Sequence, residues 1–282
     1  MMVSADLVRE LREKSGAGIM DCKKALSETR GNLADAIDYL RKAGVVKAAK
    51  KTGRAASEGL IGEKVSSDQK MAVLVEVNCE TDFVARTDQF QNFVRQVVDV
   101  ILESHPSDQG SLLKQRIREG SLEEGLKMMI SQLGENMAIR RFFLMKAESG
   151  ERIGHYLHAG SKIGALVRIR SAKIGEEVSR ELAMHLAAMH PLYLDRQSVP
   201  EEVLQKEKEI LKTSPELAKK PSELVGKIIE GKLVRYFSEN CFLEQPFIKD
   251  TTGKRTVAGY LKEKDSEARV LEIARFQVGE GV

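Results

Sequence analysis

Apolar residues occupy every second position over residues 71–78, at Met71, Val73, Val75 and Val77, which is the period of a strand with one buried face. The next strong apolar run, Phe90, Phe93, Val94, Val97, Val98 and Ile101, has helical spacing instead. Residues 80–86, Glu-Thr-Asp-Phe-Val-Ala-Arg, lie between them and place Asp82 and Phe83 in a strand-to-helix turn. Loops held by two rigid elements carry binding residues disproportionately, and an acid beside an aromatic suits a wedge pushed into another macromolecule. The competing reading folds Phe83 back onto its own core, and position alone favours it.

Residues 4–43 pattern as three short helices. Ser4 caps a helix carrying Leu7, Val8 and Leu11, and Gly16 and Gly18 break it before a second helix with Ile19, Met20, Ala25 and Leu26. Asn32 caps a third helix with Leu33, Ala36, Ile37 and Leu40, which Gly44 is expected to close. This spacing resembles the ubiquitin-associated (UBA-like) fold, a docking module. Over residues 45–56, Lys47, Lys50, Lys51 and Arg54 share one helical face, as a solvated surface, a linker or a basic handle.

The remainder shows a faint duplication. The 71–101 strand and helix are echoed by Ile163, Ala165, Val167 and Ile169 on a strand, then Val178, Leu182, Leu186 and Met189 on a helix. Both helices run into His-Pro, at His105-Pro106 and His190-Pro191, and each half ends in a late strand, over 137–146 and 269–278. The one-faced alternation fits antiparallel sheets covered by helices on one side. Pro200 opens a helix with Val203, Leu204, Ile210 and Leu211, residues 213–221 turn, and Ser222 caps a return helix with Leu224, Val225, Ile228, Ile229, Leu233, Tyr236 and Phe237. The expected fold class is therefore α+β: a UBA-like three-helix module with its basic linker (1–56), a first core half (57–147), a second core half (148–194 with 241–282) and an antiparallel helical hairpin insertion (195–240).

Composition narrows the function. With 282 residues, 42% hydrophobic, and 45 Lys and Arg against 42 Asp and Glu, the chain is long enough for about two domains, and its net charge of +3 is too balanced to point to nucleic acid. Cys22, Cys79 and Cys241 form no CxxC pair, which argues against a disulfide scaffold and a zinc site and favours a reducing cytoplasm. No signal-like N-terminus and no run of about 18 apolar residues is present, so a soluble, unprocessed cytoplasmic chain is expected. No HExxH, Walker, GxGxxG or GxSxG motif occurs, and Gly16-Ala17-Gly18 is too short for a phosphate loop. His155 and His158, three apart on a strand, fall on opposite faces, and a Cys79 nucleophile with His158 as base is less favoured than a buried cysteine. No metal or cofactor is expected, and a binding protein is favoured over an enzyme. Leu133, ahead of a helix-ending Gly134, reads as an exposed helix-end contact or as core packing, and His158 near a hairpin tip as a contact or as a satisfied turn histidine; for each residue alone the second reading is favoured.

Several stretches in the right order closely resemble the bacterial translation elongation factor Ts family from end to end: residues 11–26, residues 76–86, Gly134-Glu135-Asn136 with Ile139-Arg140-Arg141, residues 162–167, Gln245-Pro246-Phe247, and residues 276–281. The resemblance implies the same architecture and a guanine-nucleotide exchange factor for elongation factor Tu, with no bond chemistry of its own. Asp82 and Phe83, flanked by Thr81 and Val84, match the pair that in this family enters between helices of the GTPase domain and disturbs its magnesium and phosphate side. Leu133 and Gly134 match a segment near the nucleotide phosphates, His158 a core contact on the partner, and Arg12, Met20 and Lys23 the docking surface of the N-terminal module. No membrane and no direct nucleic-acid partner is implied. Some members continue beyond the Gly279-Glu280-Gly281 stretch into another helix whose contacts do not carry over, and the hairpin, linked in the family to dimer formation, leaves homodimerisation open. The alternatives are a nucleic-acid-binding or other docking module using the basic linker, and a small-molecule enzyme.

Overall fold

The computed structural model describes residues 3–118, 120–213 and 222–281. Three helices, α1 (Ala5–Ser15), α2 (Ile19–Glu28) and α3 (Leu33–Ala49), pack Leu11, Cys22, Ala25, Leu26 and Ala36 into a small core of their own. Ser4 accepts from Leu7 N and Asn32 from Ala34 N and Asp35 N, so both caps fall where the polar residues precede the apolar runs. Helix α3 does not stop at Gly44, contrary to expectation. Gly44 and Ala48 are buried, and a Cβ at Gly44 would lie 3.5 Å from the Ser131 side chain, so this glycine permits close approach to a neighbouring helix.

That neighbour is α7 (Leu122–Leu133), in the first core half. This half orders β1 (Glu58–Val65), β2 (Met71–Cys79) and β5 (Met137–Lys146) as an antiparallel sheet β1-β2-β5. Between β2 and β5 come α4 (Asp82–Ala85), α5 (Asp88–Ser104), α6 (Gln109–Leu113), a two-residue ribbon of β3 (Arg116–Ile117) and β4 (Gly120–Ser121), and α7. The second half repeats the plan, with β6 (Glu151–Leu157), β7 (Ile163–Arg170), α8 (Glu176–Met189) and β8 (Arg269–Gln277) in the order β6-β7-β8. The repetition reaches detail. The central strand of each sheet carries a register shift, between Glu76 and Val77 in β2 and between Arg168 and Ile169 in β7. Helices α5 and α8 both end on a left-handed histidine before proline, His105 at φ 47° and His190 at φ 46°. Proline disfavours a helical residue before it, which is why both helices stop there.

The one-faced alternation in β2 captures only half of its burial. Val73, Val75, Val77 and Cys79 join Phe90, Phe93, Val97 and Ile101 in a core against α5. Ala72 and Leu74, on the other face, are buried with Ile61, Met145 and, from the second sheet, Ile153 and Leu166. The two sheets thus pack on each other, each backed by its own helix. Between α8 and β8 lie α9 (Glu201–Lys212), α10 (Ser222–Asn240) and α11 (Val257–Lys264). Helix α9 packs on α10 and buries no residue fully. The turn expected at 213–221 falls, from 214 onward, outside the described residues.

One polar residue sits where the two-sided burial is deepest. Glu76 is fully buried and accepts from Arg141 Nε (2.7 Å), Arg140 Nη1 (3.2 Å), Asn78 Nδ2 (3.0 Å) and Gly279 N (2.9 Å). Burial alone raises this carboxyl, but the bonds from Gly279, Asn78 and Arg141 outweigh it and hold the group below its usual range. In the second half Glu151 plays a similar part, bonded by Arg168 (3.0 Å) and Arg170 (2.7 Å). The Glu148 N–H and these guanidinium groups bring it down to about 2.

Two consequences are testable. A Cβ at Gly154 would lie 2.1 Å from the Ser179 carbonyl oxygen, where β6 meets α8. Gly154→Ala is expected to destabilise the protein by about 3 kcal/mol, measured by urea unfolding. His185 is fully buried: Ile248 N donates to its Nδ1 (3.1 Å), leaving the ring proton on Nε2, 3.1 Å from Gln245 Oε1. Burial pushes its pKa down to about 4, so the neutral ring is the folded form. Its contribution is complete above the unfolded value of about 6.5 and is lost as pH falls through the folded one, a loss of about 2 kcal/mol between pH 7 and pH 5. Urea midpoints across that range should fall less steeply in His185→Gln.

Candidate functional site

Two threonine caps in quick succession shape the turn after β2. Thr81 is extended (φ −128°, ψ 154°) and its Oγ1 accepts from Val84 N, opening α4, while Thr87 Oγ1 accepts from Phe90 N and opens α5. Only one helical turn fits between these caps. Its inward side is pinned by Val84 and Ala85, 9% and 2% exposed in the first core, and the next side chain round, Phe83, is 79% exposed. Phe83 therefore does not fold back. Val84, grouped with the partner-binding residues on sequence, instead anchors the turn from inside, because adjacent residues on a single helical turn point about 100° apart. Asp82 pairs with Arg86 at 2.8 Å and stays half-exposed.

The segment after α7 meets this turn. Gly134 closes α7 in the left-handed region (φ 78°) and is exposed. Leu133, for which position alone favours core packing, is half-buried and packs against the first core on the same apolar face as Leu126, Met129 and Ile130. Glu135 then accepts from Glu80 N (3.1 Å), Thr81 N (3.0 Å) and Thr81 Oγ1 (2.6 Å). In return Glu80 accepts from Asn136 N (2.5 Å) and pairs with Arg54 Nη2 (2.7 Å). Lys51 Nζ donates to the Gly134 carbonyl, and Asn136 Nδ2 to the Arg54 carbonyl at 2.7 Å. Thr81, Asp82, Phe83 and Val84 are thus brought beside Leu133 and Gly134. Sequence reasoning missed Glu80 and Glu135 as the connectors. Their only signal was an acid beside each turn, and their pairing spans 55 residues. The basic stripe is engaged as well: Lys47 pairs with Asp21 (2.8 Å), and Lys51 and Arg54 join the loops, leaving Lys50 exposed.

His158 stands apart, exposed in the β6–β7 turn, with Tyr156 Oη 3.1 Å from its Nδ1. The same turn seals the edge of β1, since Ile61 N donates to the Ser161 carbonyl at 2.7 Å. Between this turn, β1 and the Asp82–Arg86 side of α4 runs a groove of about 720 Å³. Arg12, Met20 and Lys23 are exposed on the N-terminal module, Met20 at 75%, while Cys22 between them is buried. The module is seated on α7, where Gln132 Nε2 donates to the Ser15 carbonyl and Arg41 pairs with Glu124 at 2.6 Å.

Nucleophilic chemistry finds no support here. Cys79 is buried with its thiol pushed up to about 12 by burial and by Glu135. Among the described residues no three His, Cys, Asp or Glu side chains are grouped to hold a metal, and no helix is long and apolar enough to cross a membrane.

The family description "Elongation factor TS" matches residues 80–280, a span that opens on the Glu80 turn itself. The chain belongs to the elongation factor Ts family. Elongation factor Ts of Nautilia profundicola is 43% identical across 99% of this chain and 94% of its own length. That of Thioalkalivibrio sulfidiphilus is 40% identical across 100% and 94%, and that of a Nitratiruptor species 42% across 100% and 95%. Membership in the elongation factor Ts family makes this chain a translation elongation factor, acting in protein biosynthesis.

The inward and outward residues of α4 should separate on mutation. Phe83→Ala is expected to change unfolding free energy by less than about 0.5 kcal/mol, and Val84→Ala to lower it by roughly 1–2 kcal/mol, both measured by urea titration.

Proposed function

We propose that the chain binds elongation factor Tu in its GDP-bound form and promotes GDP release, using Phe83 as a wedge. The observation that carries this reading is the 79% exposure of a phenyl ring on a turn whose backbone is fixed from both sides. An exposed ring has apolar surface to bury on docking, and a fixed backbone loses little conformational freedom when it does. Pushed between helices of a GTPase, such a ring shifts the elements that hold Mg²⁺. That ion demands near-octahedral geometry and bridges the nucleotide phosphates, so a small displacement loosens the nucleotide.

Asp82, half-exposed beside Phe83, is a hydrogen-bond acceptor for the partner. Gly134 lacks a side chain where the second loop comes nearest the phosphate side, His158 reaches the partner from the second half, and Arg12, Met20 and Lys23 dock the module formed by residues 1–56. Met20 suits an adaptable apolar contact. The factor makes and breaks no bond. By reciprocity, bound GDP weakens its affinity for the partner by the factor by which it weakens GDP. A nucleic-acid role for the basic stripe has less support, since Lys47, Lys51 and Arg54 are committed to contacts within the protein.

The test is release of a fluorescent GDP from purified elongation factor Tu. The wild-type chain should accelerate release strongly, and Phe83→Ala should lower the acceleration by about thirtyfold or more, the equivalent of about 2 kcal/mol for a desolvated aromatic anchor. No acceleration by the wild type overturns the function, and equal acceleration by both removes Phe83 from it.

A further inference from the structure

Exposure of Phe83 leaves open what keeps a one-turn helix from yielding when its ring meets a packed partner. Within α4 itself the resources are slight: one cap from Thr81, two small buried side chains, and an exposed Asp82–Arg86 pair. The stiffness comes from outside, from an exchange of carboxylates. Glu135 takes both backbone N–H groups and the hydroxyl at the entrance to α4, and Glu80 takes the N–H of Asn136 from the opposing loop. Each acid satisfies donors on the other's segment, so neither loop moves without breaking charge-assisted bonds on both.

The arrangement reaches the N-terminal module too. Arg54 holds the outer oxygen of Glu80 and Lys51 holds the Gly134 carbonyl, and both follow directly on α3, whose other face is seated on α7. The wedge, the Gly134 turn and the end of the docking module's last helix are therefore one bonded unit.

We propose that Glu135 and Glu80, with Arg54, are positioning residues for nucleotide exchange: they hold the Phe83 wedge rigid and in fixed register with the N-terminal module. This inference rests on the exchange-factor reading of the same site. None of the three needs to touch nucleotide. Their action is through Phe83, so their loss affects the step in which the ring displaces partner helices more than the initial docking, which Met20 and His158 still provide.

The experiment measures fluorescent-GDP release from elongation factor Tu against factor concentration, for wild type, Glu135→Ala, Glu135→Gln, Arg54→Ala, Phe83→Ala and the Glu135→Ala/Phe83→Ala double variant. Glu135→Ala should lower the plateau rate at least about tenfold, as expected for a misplaced reacting group, while the half-saturating concentration stays within about twofold. Glu135→Gln, which keeps an acceptor oxygen, should fall between it and the wild type. In the Phe83→Ala background Glu135→Ala should lower the plateau no further, because the wedge it positions is gone. A merely destabilising change would act equally in both backgrounds. Arg54→Ala severs the unit from an exposed side chain and should show a smaller plateau loss with circular dichroism unchanged, which covers the case in which Glu135→Ala does not fold. A normal plateau in Glu135→Ala and Arg54→Ala, or a full multiplicative loss in the double variant, overturns the positioning role even where Phe83→Ala is defective. Failure of the wild type to accelerate release would instead remove the exchange reading itself.

Discussion

Burial of β2 on both faces is the constraint from which the rest of the structure follows. One face must suit α5 and the other a second sheet, so neither side of the strand is left to solvent, and even Glu76 and Asn78 are enclosed. A buried carboxylate is tolerated only when its oxygens are satisfied, and Glu76 draws donors from β5, from its own strand and from Gly279. The two halves are joined at this point by polar bonds as well as by apolar contact. With β2 immobilised in this way, the turn at its end projects from a fixed base.

The same economy explains why the halves look alike. A strand, a helix that stops on histidine before proline, and a late third strand form a unit that buries only one face alone. Two such units bury their remaining faces against each other. Gly62 and Gly154, each on the first strand of its sheet, lie where a side chain would strike α5 or α8, so the close approach of helix to sheet is repeated along with the topology.

Much of this was legible from residue order. Period-two runs placed the central strands at 71–78 and 163–170, because in each the helix-facing residues are apolar and alternate, and periodicity needs no partner to be visible. The features that escaped depend on what lies across from a residue. Gly44 reads as a helix stop until α7 is seen against it. Ala72 and Leu74 do not announce a second sheet. Thr81, Asp82 and Phe83 stood out because strand and helix periods meet there, whereas Glu80 and Glu135 carry no periodic signal, since each acquires its meaning only from the other's backbone.

The bond from Gly279 to Glu76 joins residues 203 positions apart, and it sets an order of events during synthesis. At about 5–20 residues per second, tens of seconds pass between emergence of Glu76 and of its last donor. Until it emerges the nascent chain holds a buried acid and its arginines without the N–H that completes them. A factor that serves the ribosome is thus itself dependent on the ribosome's pace, with its first half exposed to chaperones and proteases until the second arrives.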